Sequence, residues 1–348
     1  MRNKKYIFLV VLTIIVMVVT SFTLFSCDSN KVEATELSNK NATAETRRLY
    51  NYLKSVYGTN VISGQQESTY TEHGSEYEME YIHNLTGKYP AIRGLDFIRD
   101  DFDGVVERSI DWWNRGGIVS ICWHCGKNFT GNYNDCKDDD IDDWDEVLTV
   151  GTEANRVFTE NMDHAAAALK RLQDVNIPVL WRPFHEFDGM WFWWGKGGAK
   201  RFKQLWIYMY NHFTNDLGLN NLIWVLGYSH NGDNFLQNWM SQWYPGDEYC
   251  DIIGADSYEV PENGPEKRLF DGLSHVNKDK MRVLHECGEI PTVDGFKEVK
   301  WGFFMTWHTK WLIYDGDPDV QSSNTDDQIR AVYLDDYVLT LEDIPNLK

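Results

Sequence analysis

The chain has 348 residues, of which 43% are hydrophobic and 14% aromatic, so it is long enough for one large barrel or two smaller domains and too apolar to be mainly disordered. Its 33 basic and 53 acidic residues give a net charge of −20, which disfavours nucleic acid and anionic membranes as partners and favours a neutral one. Fifteen tryptophans exceed the need of an ordinary core, and we expect some of them to face a ligand.

The first 26 residues have the pattern of an export signal. A basic opening, Arg2-Asn3-Lys4-Lys5, precedes an apolar run from Tyr6 to Phe25. The tetrad Leu24-Phe25-Ser26-Cys27 resembles the cleavage box of bacterial lipoproteins, in which the cysteine is lipidated and becomes the first mature residue. An uncleaved transmembrane anchor is the alternative, because the run is close to the ~20 apolar residues that span a bilayer. We therefore expect an exported, membrane-anchored lipoprotein, in the periplasm or on the outer cell surface, held through Cys27.

Residues 27–42 are polar and are interpreted as a flexible tether. From residue 43 to the end, amphipathic helical patterns alternate with short apolar runs that indicate strands. The clearest helical patterns are Ala44–Tyr57, Val105–Asn114, Asn155–Gln173 and Lys200–Asn215. The eight candidate strands begin near Asn60, Tyr89, Gly117, Pro178, Asn221, Asp251, Met281 and Trp301.

Eight strand and helix units predict an α/β fold, a single (β/α)8 TIM barrel over residues 43–348. Its strands read as continuous apolar runs because both of their faces are covered. An open doubly wound sheet is the alternative, but the chain has no glycine-rich turn of the dinucleotide-binding type.

Two features could indicate a metal site. The spacing Cys122-Trp123-His124-Cys125 allows a zinc or redox interpretation, but no second Cys-x-x-Cys follows. The acids between Asp138 and Asp143 lack the glycine-centred ligand spacing of a calcium loop, so we interpret them as a solvated loop. We predict no metal and no cofactor. The cysteines beyond the lipid are interpreted as buried thiols, with one disulfide to Cys136 as an open alternative; they are Cys122, Cys125, Cys136, Cys250 and Cys287.

Chemistry in TIM barrels collects at the carboxyl ends of the strands. Polar and aromatic residues follow five of the predicted strands, as Trp123-His124, His185-Glu186, Asp256-Ser257-Tyr258, His285-Glu286 and Trp307-His308. Glu186 stands between an apolar strand and a group of tryptophans, and a desolvated carboxyl group beside flat rings suits a proton donor to a sugar. The alternative is a structural ion pair of Glu186 with Arg182, beside aromatic residues that belong to the core.

Glycoside hydrolysis with retention requires two carboxyl groups about 5–5.5 Å apart. The fourth and seventh predicted strands face each other across the barrel mouth, which makes Glu186 and Glu286 the candidate pair. Glu289 is the rival nucleophile, but it follows Gly288 and is expected on the loop beyond the strand.

Motifs along nearly the whole chain after the tether resemble glycoside hydrolase family 26, whose members are chiefly endo-β-1,4-mannanases. The motifs are Trp181-Arg182-Pro183-Phe184-His185-Glu186-Phe187-Asp188-Gly189 with Trp191, Trp243-Tyr244-Pro245-Gly246-Asp247, Gly254-Ala255-Asp256-Ser257-Tyr258, Leu284-His285-Glu286-Cys287-Gly288 and Met305-Thr306-Trp307-His308. The histidine before the first glutamate is specific to this family, since the broader clan has asparagine there.

The resemblance implies a role for each site residue. It makes Glu186 the acid/base, Glu286 the nucleophile, Tyr258 a hydrogen-bond partner of the nucleophile and Trp307 the platform under the sugar. Further substrate contacts are implied or expected for His124, His185, Trp191 and Asp256, and His185 is expected to reach the 2-position of the sugar.

The expected function is cleavage of β-1,4-mannosidic bonds in mannan, galactomannan or glucomannan by double displacement, in a monomer. A β-glucanase or xylanase of the same family is the nearest alternative, because the catalytic pair is shared. A non-catalytic glycan-binding lipoprotein is the alternative from another class.

Overall fold

The computed structural model describes residues 37–69, 73–229, 237–258, 267–313 and 324–348. The predicted export signal, Cys27 and most of the predicted tether lie outside the described residues. Within the described ranges, no helix combines the length and the apolar character needed to cross a bilayer.

Eight parallel strands close into a barrel in chain order, which confirms the predicted (β/α)8 fold. Each strand pairs with the next along the chain, and the last pairs with the first through Gln65 and Thr306. The barrel strands are β2 (Gly64–Gln66), β3 (Ile92–Asp96), β4 (Ile118–Cys122), β5 (Val179–Arg182), β6 (Leu222–Tyr228), β7 (Ile252–Ser257), β8 (Met281–Cys287) and β9 (Phe304–Thr306).

The first barrel strand differs from the prediction. The apolar pair Val61–Ile62 forms β1, which pairs with β10 (Val338–Leu339) in a separate two-stranded sheet. The barrel is closed instead by the polar strand β2, where the Gln65 amide donates hydrogen bonds to the carbonyl oxygens of Gln66 and Trp307. This strand consists of glycine and glutamine, so no run of apolar residues in the sequence marks it. Hydrogen bonds of its buried polar groups hold it in place.

Helices cover the outside of the barrel, and several begin at side-chain caps. Thr43, Asp101 and Thr152 each accept a hydrogen bond from a backbone N–H of the first helical turn. The α-helices are Ala44–Val56, Tyr77–Thr86, Phe102–Asn114, Tyr133–Asp138, Trp144–Leu148, Glu153–Asp174, Trp193–Lys196, Gly198–Tyr210, Gln237–Trp243, Lys267–Val276, Val293–Val299 and Asp326–Tyr333. Short 3-10 turns lie at Ile98–Asp100, Phe187–Gly189, Asp247–Tyr249, Thr309–Trp311 and Leu341–Asp343, and a π-helical turn lies at Asn211–Asp216.

The described part of the predicted tether, from Leu37 to Ala42, packs against the barrel. Leu37 and Asn39 are buried, and the Ser38 N–H donates to Asp251 Oδ1 at 2.6 Å. The described end of the predicted tether is therefore part of the barrel's wall.

Most of the tryptophans belong to the core. Eleven of the fifteen are buried, including Trp193 and Trp194, so these two rings are not available to a sugar. The four that remain partly exposed are Trp191, Trp239, Trp307 and Trp311.

The cysteines after residue 37 are all buried and free, as the thiol interpretation predicted. The alternative of a disulfide to Cys136 is wrong, because the Cys136 Sγ–H donates a hydrogen bond to the Asn132 carbonyl oxygen instead.

Candidate active site

A cavity of about 750 Å³ opens at the carboxyl ends of the barrel strands. It contains most of the residues that the sequence singled out. Six of the eight predicted site residues line it: His124, Glu186, Trp191, Tyr258, Glu286 and Trp307. Asp96, Tyr133, Trp311 and several exposed polar side chains complete the lining.

Glu286 lies near the end of β8 and is only 3% exposed. Arg182 Nη1, from the end of β5, donates to Glu286 Oε2 at 2.9 Å, and the Tyr258 hydroxyl donates a short hydrogen bond to Oε1. The pKa of Glu286 is raised to about 6, chiefly by burial. The Arg182 charge opposes this rise, the Glu186 charge increases it, and the Tyr258 hydrogen bond opposes it. The Arg182 and Tyr258 contacts therefore favour the ionised form of this buried carboxyl group.

Glu186 follows β5 on a loop with unusual backbone geometry. Its φ is +56°, and Phe184 and Met190 also have positive φ near 51° and 58°. Strained non-glycine residues of this kind cluster at functional sites, where the surrounding structure holds them. The Glu186 N–H donates to the Gly227 carbonyl oxygen at 2.8 Å, which fixes the loop to β6. The side chain is half-buried, and Trp191 Nε1 donates to its Oε2 at 2.9 Å.

The two glutamates face each other in this cavity. One carboxylate oxygen from each of Glu186, Asp256 and Glu286 lies within 4.8 Å of the other two. Such a separation is close to the ~5–5.5 Å of retaining glycosidases and shorter than the ~6.5–9.5 Å of inverting ones. The alternative that Arg182 forms an ion pair with Glu186 is wrong, because Arg182 pairs with Glu286.

Asp96 was not singled out from the sequence. It ends β3, and its Oδ2 lies 2.6 Å from His124 Nδ1 while its Oδ1 accepts from the His124 N–H at 2.9 Å. Burial lowers the pKa of His124, but the Asp96 carboxylate outweighs burial and raises it above 6.5. The signal was present, since Asp96 directly follows an apolar run as the predicted strand-end residues do.

His185 and Asp256, the other two predicted substrate contacts, are buried and are not among the residues that line the cavity. His185 is fully buried, and its Nε2 lies 3.9 Å from Glu286 Oε2. Burial, together with Arg182, holds the pKa of His185 well below 6.5, so the ring is neutral. The His185 ring thus lies beside Glu286, and its expected contact with the 2-position of the sugar stays a prediction.

Three tryptophan rings line the cavity: Trp191, Trp307 and Trp311. The Trp307 ring lies against His124, with ring centroids 5.9 Å apart. The backbone N–H of Trp307 donates to the Cys287 carbonyl oxygen at 2.8 Å. Half-exposed aromatic rings beside two carboxyl groups suit the apolar faces of pyranose rings.

Glu289, the rival nucleophile, is not among the residues that line this cavity. Its Oε1 accepts a hydrogen bond from Gln328 Nε2 at 3.3 Å on the outer side of the barrel mouth. The geometry therefore favours Glu286.

Comparison with known proteins identifies the family. The model of glycosyl hydrolase family 26 matches residues 38–343. The chain belongs to glycosyl hydrolase family 26. This result confirms the resemblance seen in the sequence motifs.

Curated relatives of the family 26 chain include two fungal enzymes. A mannan endo-1,4-beta-mannosidase of Thermothelomyces thermophilus is 35% identical over 336 residues, which cover 88% of this chain and 63% of the relative. Mannan endo-1,4-beta-mannosidase B of Piromyces sp is 33% identical over 327 residues, which cover 89% of this chain and 54% of the relative. The family 26 chain thus spans little more than half the length of these relatives.

Solved structures agree with the fold of the family 26 chain. A ruminal GH26 endo-beta-1,4-mannanase superposes with a TM-score of 0.78 at 35% identity, covering 91% of this chain and 72% of that one. The beta-mannanase from a symbiotic protist of the termite Reticulitermes speratus, solved with a gluco-manno-oligosaccharide, gives a TM-score of 0.79 at 28% identity and covers 89% and 97%.

Proposed function

We propose that the protein is a retaining endo-β-1,4-mannanase, with Glu286 as nucleophile and Glu186 as acid/base. The observation that carries this proposal is the approach of the two carboxylates to within 4.8 Å at the floor of an open cavity. A single glycosidic bond can lie between groups at that separation, whereas an inverting reaction needs room for a water molecule.

The reaction proceeds in two displacements. Glu286 attacks the anomeric carbon while Glu186 donates its proton to the glycosidic oxygen, so that the leaving chain departs as an alcohol and a glycosyl ester forms on Glu286. Glu186, now ionised, takes a proton from a water molecule that attacks the same carbon. The ester bond breaks, and the sugar leaves with its original anomeric configuration.

The surroundings of the two glutamates support these roles. Glu286 accepts hydrogen bonds from Arg182 and Tyr258, which favour the ionised form that attacks carbon. Burial and the Glu286 charge raise the pKa of Tyr258 well above 10, so its hydroxyl keeps the proton that it donates. Glu186 is half-buried and open to the cavity, where a leaving-group oxygen can reach it.

A β-mannan substrate is supported by the relatives, which are named mannan endo-1,4-beta-mannosidases. Galactomannan and glucomannan are included in the proposal because they share the β-1,4-linked mannose backbone. The three partly exposed tryptophans in the cavity provide apolar faces for a chain of neutral sugars.

Product analysis tests the substrate and the stereochemistry together. The purified protein is incubated with mannan, galactomannan, mixed-linkage glucan and xylan, and early products are separated by size. A spread of manno-oligosaccharides is expected from mannan, and proton NMR within the first minutes should show the β anomer first. Gluco- or xylo-oligosaccharides without manno-oligosaccharides would assign the protein to the β-glucanase or xylanase alternative. An α anomer appearing first would contradict retention.

Comparison of the wild-type protein with one variant separates a hydrolase from a protein that only binds glycans. Glu186→Gln removes the proton donor at almost constant shape, and we expect binding of manno-oligosaccharides to persist while turnover falls by orders of magnitude. Wild-type protein that binds mannan without cleaving it would establish the glycan-binding alternative.

We also propose that the mature protein is lipidated on Cys27, on the strength of the basic, apolar and cysteine pattern of residues 1–27. Growth of an expressing bacterium with labelled palmitate should label the wild-type protein and a Cys250→Ala control. The Cys27→Ala variant should stay unlabelled. Label on that variant would contradict the anchor.

A further inference from the structure

His285 precedes the proposed nucleophile and is fully buried behind it. Its Nδ1 lies 3.0 Å from Arg182 Nη1, and its Nε2 lies 3.0 Å from the Tyr228 carbonyl oxygen. The imidazole therefore bridges the end of β6 to the arginine that contacts Glu286.

The two partners fix the tautomer of His285. The Arg182 guanidinium can only donate hydrogen bonds and the Tyr228 carbonyl can only accept them, so Nδ1 accepts and Nε2 carries the hydrogen. Burial, together with the Arg182 charge, holds the pKa of His285 well below 6.5, so the ring stays neutral. A neutral ring of this tautomer satisfies both contacts at once.

The same nitrogen of Arg182 contacts both neighbours. Nη1 lies 3.0 Å from His285 Nδ1 and 2.9 Å from Glu286 Oε2. Because Nη1 carries two hydrogens, one points to each acceptor, and the rotation of the guanidinium plane is set. Without the His285 acceptor, only the Glu286 contact would orient this end of the guanidinium.

Two neighbouring strands carry glycine where they pass the His285 ring, which leaves space for it. A Cβ at Gly227, on β6, would lie 2.7 Å from His285 Nε2, and a Cβ at Gly254, on β7, would lie 2.9 Å from its Cδ2. The imidazole fills the slot beside these two glycines, and no side chain larger than hydrogen would fit at either position without moving the ring.

We propose that His285 is a positioning residue for the reaction, which orients Arg182 so that the guanidinium stays against Glu286. This inference rests on the proposed glycosidase function and adds a residue to it. His285 touches neither the cavity nor the sugar, and it acts only through Arg182.

The charge state of Glu286 reports on this arrangement. Arg182 lowers the pKa of Glu286, so a guanidinium that turns away lets that pKa rise, and activity that needs the ionised carboxylate is then lost at a higher pH. The other titratable groups near Glu286 are Glu186, Tyr258, His124, His185, Asp256, Tyr133, Cys122 and Cys287. None of these is altered by a substitution at position 285.

The experiment compares His285→Leu with His285→Gln. Leucine fills the slot without an acceptor, whereas the glutamine amide can accept from Arg182 and donate to Tyr228. With mannan as substrate, we expect His285→Leu to lower kcat about 10-fold at nearly constant KM. The acidic limb of its kcat/KM profile should move up by about one pH unit, and His285→Gln should restore most of both.

A destabilised control excludes a general packing effect. Leu169→Ala, in the helix Glu153–Asp174, removes buried side-chain volume far from the cavity and should leave the acidic limb in place. A folded His285→Leu protein with the wild-type limb and kcat would overturn the proposal.

A second measurement uses the wild-type protein and no substrate. Two-dimensional NMR of nitrogen-labelled histidine should show His285 as the Nε2–H tautomer at pH 6, assigned by its disappearance in His285→Gln. An Nδ1–H tautomer or an imidazolium would overturn the inference even if no leucine variant folds. If the wild-type protein cleaves no polysaccharide, the proposed function fails. The tautomer measurement needs no activity and therefore tests the geometry of His285 alone.

Discussion

The floor of the cavity and one side of its rim are built in opposite ways. The floor is a set of side chains at or just beyond the ends of different strands, with Arg182 beside Glu286; its members are Asp96, His124, Arg182, Tyr258 and Glu286, and all but Tyr258 are buried. The rim segment is residues 127–148, between β4 and the helix Glu153–Asp174. Contacts in the floor join residues far apart in sequence, as Arg182 and Glu286 do, whereas those of the rim segment are mostly local.

Local contacts shape much of the rim segment, and Lys196 and Arg201 attach it to the helices that follow β5. Asn132 and Asp135 form a capping box on the helix Tyr133–Asp138, and Asp143 caps the helix Trp144–Leu148. Most of its acids are exposed, as predicted for a solvated loop. If the proposed function holds, we expect the floor to determine the chemistry, and changes in the rim to alter substrate fit without disturbing Glu186 and Glu286.

The strongest test of the comparison removes the nucleophile. Glu286→Gln should lower turnover on mannan by about 10³-fold or more while the binding of mannohexaose, measured by calorimetry, persists. The matched control is Glu289→Gln, three residues later and outside the cavity lining. Near wild-type turnover of Glu286→Gln, or equal losses in both variants, would contradict the assignment.

A second test compares a buried ion pair of the floor with an exposed one of the rim. Asp96→Asn should cost about 3 kcal/mol of unfolding free energy, because it removes the carboxylate that stabilises the protonated form of the buried His124. Asp145→Asn, which breaks the exposed pair with Arg201, should change the unfolding free energy little. Equal effects of the two substitutions in urea unfolding would remove the distinction between floor and rim.

The cost of Asp96→Asn should also depend on pH. The pKa of His124 is raised above 6.5, so its contribution is full below pH 6.5 and is lost as the pH rises through the raised value. Burial raises the pKa of Asp96, but the His124 contacts outweigh it and lower the pKa below 3.8, so that contribution is lost only as the pH falls below this value. The stability gap between wild type and variant should be widest between about pH 4 and 6.5.

Tyr258→Phe tests a single hydrogen bond of the floor. Loss of the hydroxyl removes one contact that lowers the pKa of Glu286, so that pKa rises from about 6 and more of the carboxyl is protonated near neutrality. We expect about a 10-fold loss of kcat/KM at pH 6 and a smaller loss at pH 8. A loss that is equal at both values would show that the hydroxyl acts in some other way.

The smallest expected effect belongs to the rim. Tyr133 is 46% exposed and lines the cavity, with its ring 5.7 Å from those of His124 and Phe192. Tyr133→Ala should raise KM for mannohexaose about 3-fold at constant kcat, because stacking contributes about 1 kcal/mol or less. Val150→Ala, an 81% exposed position outside this cavity, is the control. A change in kcat would show that the rim affects chemistry.

The sequence was sufficient to predict the barrel and the meeting of Glu186 and Glu286 in one cavity, because both follow from local patterns. Glu186 follows the end of one predicted strand and Glu286 lies near the end of another, and the alternation of strands and helices places the two strand ends at the same mouth. The resemblance to the family rests on the same residues. Six of the eight predicted site residues line the cavity for this reason.

The remaining features depend on three-dimensional pairing. The choice of Arg182 between Glu186 and Glu286 is decided by side-chain direction at the end of β5, which sequence spacing does not encode. The burial of His185 was not expected from its place beside Glu186, which is half-buried and lines the cavity. Strand β2 was missed because its stability comes from hydrogen bonds of Gln65 rather than from apolar residues.

The free thiols have a practical consequence. In the described part of the chain no cystine crosslinks the barrel, so a reductant such as dithiothreitol should leave its melting temperature unchanged. Each sulfur is hidden from solvent, and a maleimide dye can reach it only when the surrounding wall opens. The five cysteines thus serve as built-in reporters of opening, and their separate labelling rates would map which part of the molecule gives way first under heat or urea.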